Sequence, residues 1–463
     1  MAFNSVVFIF LFAPFVLIGN FLIRRNASNL FILGASIFFY GWGEPRFLFV
    51  VLASGILDYY ISLIIARGAG GVERPALAIG VIANIGLLLY CKYSAFFLDT
   101  LGAVIGGFGF PLPEVFLPLG LSFIVFEKIT YLVDVYRNIT LPARSLTDYL
   151  FFVFFFPKML AGPIIKYHEI SAQIERRSIA VDDIAYGASR FVLGLAKKVL
   201  VADSMAGVVE RVFSATPDLI GFGDAWFAAL CFAVQIYFDF SGYSDMAIGL
   251  ARILGFRLRE NFNQPYLAVG FTDFWQRWHI SLSTWIRDYL YIPLGGNRRT
   301  APRVFANLWI CFLASGLWHG ANWTFIFWGA YHGFFVWADR IVLNRFWQMV
   351  PRLVGVSVTF FLVIIGWVFF RARTLSDGLE IVRVMFSPYR TSSLMDLWPT
   401  NDVYLFLTLG LVASFLPLPI VRSWMNRIPG ESGGQQILIV VLACWSFGHV
   451  FATTFTPFLY FRF

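Results

Sequence analysis

Charge is scarce in this sequence. Lys and Arg number 35 and Asp and Glu 27, so 13% of its 463 residues are charged. Soluble globular domains carry about a quarter. The basic residues never condense into one dense block, which argues against nucleic acid as a partner. Cysteine is sparser still, at four residues. Cys91, Cys231, Cys311 and Cys444 are far apart, each in an apolar segment, and no pair has metal-ligand or redox spacing. The chain also lacks a Gly-x-Ser-x-Gly elbow, a Walker loop and a His-Glu-x-x-His helix, which removes the corresponding hydrolase, nucleotide and metalloprotease readings. No internal repeat and no low-complexity linker divides it. The simplest partition is one integral-membrane domain over residues 1–463, with a motif-rich stretch at 252–303 and histidine-bearing helices at 304–337.

What is present is hydrophobic bulk: 59% of the residues, with 54 phenylalanines and a mean hydropathy of +0.73. Apolar runs recur at about the 20 residues that cross a bilayer core. They cover 5–23, 29–42, 46–66, 76–91, 115–136 and 149–165, then 186–213, 224–251, 304–337, 352–370, 402–420 and 435–452. The expected fold class is an all-α polytopic membrane protein of about ten to twelve crossings, with re-entrant or interfacial helices besides. The run 304–337 exceeds one span and is expected to divide near Gly320. Met1-Ala-Phe-Asn-Ser precedes the first run without a basic residue and Arg24-Arg25 follows it. That order predicts an uncleaved first span with its N-terminus outside. The net charge of +8 then reads as topology, with the basic stretches 166–198 and 252–303 inside and Arg422 and Arg427 assigned there too.

An ionisable residue within the membrane is costly and so marks a candidate site. His319 is the foremost, in Ser315-Gly-Leu-Trp-His-Gly-Ala-Asn322, where Gly316 and Gly320 allow close backbone approach and a helix break. Burial favours the neutral imidazole, the form a general base needs to take a proton from an attacking hydroxyl. His279 lies in a segment from Phe271 to Tyr289 whose aromatic residues recur at helical spacing. A single helix is predicted there, started by Thr272 or Asp273, with His279 at the edge of the stripe lining a substrate passage. His332 follows His319 by thirteen residues and reads as a core or supporting histidine; the two share a face only on a continuous helix. His168 and His449 read as structural. Asp239 and Asp245 stand in an apolar segment and need partners, for which Arg252 or Arg257 is near in sequence. Glu127 and Asp134 carry the same reading. Gly295-Gly-Asn-Arg298 reads as a turn.

Several motifs together resemble a known family: Leu117-Pro-Leu-Gly-Leu-Ser-Phe123, Phe156-Pro-Lys-Met-Leu-Ala-Gly-Pro163, Tyr237-Phe-Asp-Phe-Ser-Gly-Tyr-Ser-Asp-Met-Ala-Ile-Gly249, Glu260-Asn-Phe-Asn-Gln-Pro-Tyr266, Arg277-Trp-His-Ile-Ser-Leu-Ser283, Leu317-Trp-His-Gly-Ala-Asn322 and Pro457-Phe-Leu-Tyr-Phe-Arg-Phe463. Across nearly its whole length the chain resembles the membrane-bound O-acyltransferases, in the bacterial branch of alginate and peptidoglycan O-acetyltransferase membrane subunits. The resemblance implies a ring of helices around a thinner centre with a funnel. It implies His319 as the catalytic histidine and His279 as the second motif histidine, with Trp318, Asn322, His332, Asp239, Asp245, Arg277 and Ser281 lining or supporting the passage. No bound cofactor or metal is implied. The donor implied is a cytoplasmic thioester, acetyl-CoA for this branch, and the setting a multi-pass protein of the bacterial inner membrane among membrane lipid. The partners implied are an extracytoplasmic SGNH-type acetyltransferase and a polysaccharide-biosynthesis complex. Alginate members extend beyond the point where this chain stops, at Arg462-Phe463, so the acceptor implied widens to exported polysaccharides. Two alternatives stand beside this: D-alanyl transfer from a carrier protein to teichoic acid, and a transporter or flippase. The latter predicts repeats and paired broken helices.

Overall fold

A computed structural model describes residues 1–68, 70–106, 118–392, 394, 400–416, 433–452 and 457–459. Leu117 of the first motif, 460–463 of the last, and Arg422 and Arg427 lie outside the described residues. Among the described residues every regular element is helical. Five helices are long and apolar enough to cross a membrane: Pro45–Arg67, Glu73–Ile105, Phe222–Ile253, Arg352–Arg371 and Gly434–Ala452. Phe8–Leu22 and Asn401–Phe415 are shorter apolar helices. The chain is thus an all-α, multi-pass membrane protein. The twelve apolar runs correspond to these helices and to shorter ones, because several runs break into helix pairs.

Two compact units emerge from the packing. The first comprises Met1–Phe191 and Ser244–Arg259, the second Val192–Tyr243 and Glu260–Phe463. In the first unit, α1 (Pro45–Arg67), α2 (Glu73–Leu88) and α3 (Leu121–Tyr136) pack together. Their polarity is inverted relative to a soluble bundle. Phe49, Tyr60, Ile79 and Ile82 are exposed, as lipid-facing residues should be, while Asp58, Asn84 and Lys128 are buried. Asn84 Nδ2 donates to both carboxylate oxygens of Asp58 at 3.0 Å, and Lys128 Nζ pairs with Asp58 at 3.0 Å. The next residue back on α3, Glu127, pairs with Lys158 and accepts the Ile165 N–H at 3.2 Å. It thereby anchors the Phe156-to-Pro163 motif. Asp134 pairs with His168 Nδ1 at 3.0 Å.

The second unit holds the two helices of run 304–337. α7 below follows α4 (Phe222–Ile253, which passes through both units), α5 (Phe271–Arg277) and α6 (Ile280–Ile286) in the chain. α7 (Ala301–His319) starts with Pro302 in its first turn, where a missing N–H costs nothing, and stops where Gly320 turns extended. α8 (Trp323–Ala338) starts at Asn322, whose side chain accepts the Thr324 N–H at 3.1 Å. The helices cross at Gly316 and Gly329. A Cβ on Gly316 would land on the carbonyl oxygen of Phe325, and one on Gly329 on that of Phe312. α9 (Arg352–Arg371) packs on α8.

Two sequence expectations are corrected here. The single helix predicted from Phe271 to Tyr289 divides at His279, whose φ is +43°. The cause is competition for backbone groups by the segment 261–263. Asn263 N–H takes the Arg277 carbonyl at 2.9 Å and Ile280 N–H goes to the Asn261 carbonyl at 2.9 Å. Neither Thr272 nor Asp273 is the capping residue; Gly270 occupies that position. Asp273 instead reaches back to the Val269 N–H, and Asp339 accepts the Thr272 N–H at 2.7 Å. The two α4 carboxylates also choose other partners than Arg252 and Arg257. Asp239 pairs with Lys198 at 2.6 Å and Asp245 with Arg190 at 2.6 Å, while Arg252 pairs with Asp183.

Candidate active site

Three histidines of the second unit are buried: His279 and His332 fully, His319 at 3% exposure. His319 is the last residue of α7. Its ring stands nearly perpendicular to Trp328, centroids 5.0 Å apart, and borders Trp318 at 5.0 Å and Phe370 at 5.3 Å. Trp318 is shared: its ring also lies 5.9 Å from that of His279. Trp328 is shared on the other side, 4.7 Å from His332. The chain break at Gly320 separates His319 and His332 into two helices, yet the fold-back of α8 onto α7 sets both against one indole. Continuity of a helix was not required.

Hydrogen bonds fix the protonation pattern of two of these rings. Asn261 Oδ1 accepts the backbone N–H and the Oγ–H of Ser281, at 3.1 and 2.9 Å. The same oxygen lies 3.2 Å from His279 Nδ1, and an amide oxygen only accepts, so Nδ1 carries the hydrogen and Nε2 is the basic nitrogen. Burial pushes the His279 imidazole down to about 3, so it is neutral at physiological pH. Its ring meets the edge of Phe240 at 4.6 Å. In His332 the pattern is reversed. Trp275 Nε1–H donates to Nδ1 at 3.2 Å, so the neutral ring holds its hydrogen on Nε2.

A cavity of about 410 Å³ opens beside this group. Its lining includes the apolar side chains of Trp275, Leu308 and Phe312, the hydroxyl residue Ser315, and Arg287, Tyr291 and Arg340. Arg340 donates to the Tyr291 hydroxyl at 3.0 Å and to Asn297 Oδ1 at 2.7 Å. Ser315, buried, lies one helical turn before His319 on the same face of α7.

The other predicted site residues divide. Trp318 and Ser281 join the histidine group, as above. Arg277 is clamped to Asp273 at 2.7 Å and donates to the Asn263 carbonyl, holding the segment that breaks the helix. Asn322 caps α8 and donates to the Arg373 carbonyl at 3.1 Å. Asp239 binds Lys198 and accepts the Leu459 N–H at 2.8 Å. Asp245 belongs to the first unit, with Arg190. Asn261, Trp328 and Lys198 join this part of the structure without a local signal in the sequence, and Trp275 with only its place in the aromatic stripe. Asn261 stood in a quoted motif, one polar residue between Glu260 and Phe262, and its reach to His279 eighteen residues on had no local signal. Lys198 falls in the basic stretch 166–198 that reads as topology, and the structure buries it between Asp203 and Asp239.

Comparison with known proteins places the chain in a family. Residues 126–374, which contain all three histidines, match the model of the membrane-bound O-acyltransferase family. The probable alginate O-acetylase AlgI of Azotobacter vinelandii is 44% identical over 394 residues, 84% of this chain and 78% of that protein. Its Pseudomonas putida namesake is 39% identical over 100% of both chains, so the longer C-terminus expected of alginate members is absent from that relative. The peptidoglycan O-acetyltransferase of Helicobacter pylori is 36% identical over 83% of this chain and 80% of its own. With the helical fold and the buried histidines of α7 and α8, these matches establish that the chain belongs to the membrane-bound O-acyltransferase family.

Proposed function

We propose that the chain O-acetylates an exported or cell-wall polysaccharide, such as alginate, a similar exopolysaccharide or peptidoglycan. The donor is a cytoplasmic acetyl thioester, acetyl-CoA. The observation that carries this reading is the cavity, lined by Arg287 and Arg340, by the apolar Trp275, Leu308 and Phe312, and by Ser315 one turn from His319. Guanidinium groups suit the phosphates of a nucleotide thioester, and the apolar side chains suit its uncharged arm. His319 is the general base. An acceptor hydroxyl attacks the thioester carbonyl while His319 takes its proton, the new C–O ester bond forms, the C–S bond breaks, and the proton returns to the leaving thiolate. His279, neutral and held by Asn261, immediately precedes Ile280 of the cavity wall and supports the donor side from there.

The names of the relatives support acetyl over D-alanyl transfer. The identity to two O-acetylases is 44% and 36%, against 24% over 274 residues to the teichoic acid D-alanyltransferase of Bacillus subtilis. The setting is the bacterial inner membrane. An SGNH-type partner outside passes acetyl groups on to the assembled polymer, whereas a short oligosaccharide supplied in detergent offers its hydroxyl to the site directly. The purified protein in detergent, given acetyl-CoA and an oligosaccharide, should release free thiol, and mass analysis should find acetylated sugar. Flux of sugar across vesicles without thioester consumption would mean a transporter instead.

A further inference from the structure

Trp275 has two attachments that no step above uses. One edge lines the cavity, and Nε1–H donates to His332 Nδ1 at 3.2 Å. Its ring is set across its neighbours: 65° to Trp328 with centroids 5.7 Å apart, and 68° to Phe312 at 5.5 Å. Trp328 in turn faces His319 nearly at right angles, so Trp275 stands between the cavity and the ring that walls the catalytic candidate. An indole whose only polar atom is bonded to a buried acceptor cannot swing aside without leaving that N–H unsatisfied in an apolar surround. His332 is itself immobile. It is fully buried, ringed by Phe271 at 5.2 Å and Trp328 at 4.7 Å, and Gly366 leaves the room its Nε2 occupies, since a Cβ there would come within 2.9 Å.

We infer that Trp275 is a specificity-determining residue, the inner wall that limits the donor's acyl group to a short chain, with His332 as the positioning residue that holds the wall. The inference rests on the donor reading of the cavity. Each methylene beyond acetyl would have to displace a fixed indole. Shape exclusion of one methylene in a rigid pocket is worth about 10–200-fold in discrimination.

The test is thioester turnover by the purified full-length protein with acetyl-CoA, butyryl-CoA and octanoyl-CoA, read as the butyryl-to-acetyl ratio of kcat/KM. Trp275→Ala should raise that ratio about tenfold or more, and His332→Phe, which keeps a ring but removes the acceptor, should raise it by less. His332→Asn, which restores an acceptor near the Nδ1 position, should bring it back towards the wild-type value; a purely structural loss would lower all donors alike. If Trp275→Ala does not fold as a monodisperse protein, Trp275→Phe should show the same direction of change. A folded Trp275 variant that turns over acetyl-CoA with the wild-type ratio overturns this inference alone. A wild-type protein that turns over no acyl-CoA of any length overturns the donor reading and this inference with it.

Discussion

The two compact units bury ionisable side chains by different means. In the first, carboxylates face basic groups: Asp58 with Lys128, Glu127 with Lys158, Asp134 with His168, Asp245 with Arg190. The second uses that device at Lys198 with Asp203 and Asp239, but walls its histidines with aromatic rings and holds two of them through the neutral groups Asn261 and Trp275. The difference is one of purpose. A buried charge must be neutralised by a partner, and once paired it is committed to structure. A neutral imidazole among rings costs less to bury and keeps a lone pair available for a proton.

The largest effect should come from breaking a pair in the first unit. Lys158→Met leaves Glu127 buried without its cation, and loss of one partner of a buried pair costs about 3–5 kcal/mol. Thermal melting in detergent should show it, and adding Glu127→Gln to the same protein should recover a large part. If the single variant melts like wild type, pairing is not what holds this unit. A smaller effect should follow in the second unit from Asn261→Ala. That change strips the acceptor from Ser281 and His279, and unsatisfied buried groups cost about 1–3 kcal/mol. Turnover of acetyl-CoA should fall by more than the loss of folded protein, because the His279 tautomer is released. Equal losses of fold and turnover would reduce Asn261 to a scaffold role.

The same contrast explains how much could be read beforehand. Hydrophobic runs report lipid contact directly, so the all-α membrane class was legible from them, and the helix break near Gly320 from Gly316 and Gly320. His319 stands out as a candidate because a lone imidazole in an apolar run is expensive. Pairings over long sequence distances were not. Asp239 pairs with Lys198 rather than Arg252 because the approach of the π-helical turn Lys197–Ala202 to α4 is tertiary and leaves no local signal. The break at His279 was hidden for a similar reason. Its local pattern is helical, and it yields only because the backbone of Asn261 and Asn263 outbids the helix for Ile280 and Arg277. Aromatic periodicity located Trp275 on the right stripe but gave no sign that its N–H would be taken by His332.

The account turns on His319 as the proton acceptor, and one measurement addresses it directly. Steady-state transfer from acetyl-CoA to an oligosaccharide hydroxyl should be compared for the wild type and His319→Ala, with melting temperature recorded on the same preparations. Loss of a positioned base should lower kcat by about 10²–10⁴-fold while the fold persists. A His319→Ala protein that folds and acetylates at the wild-type rate would contradict the account.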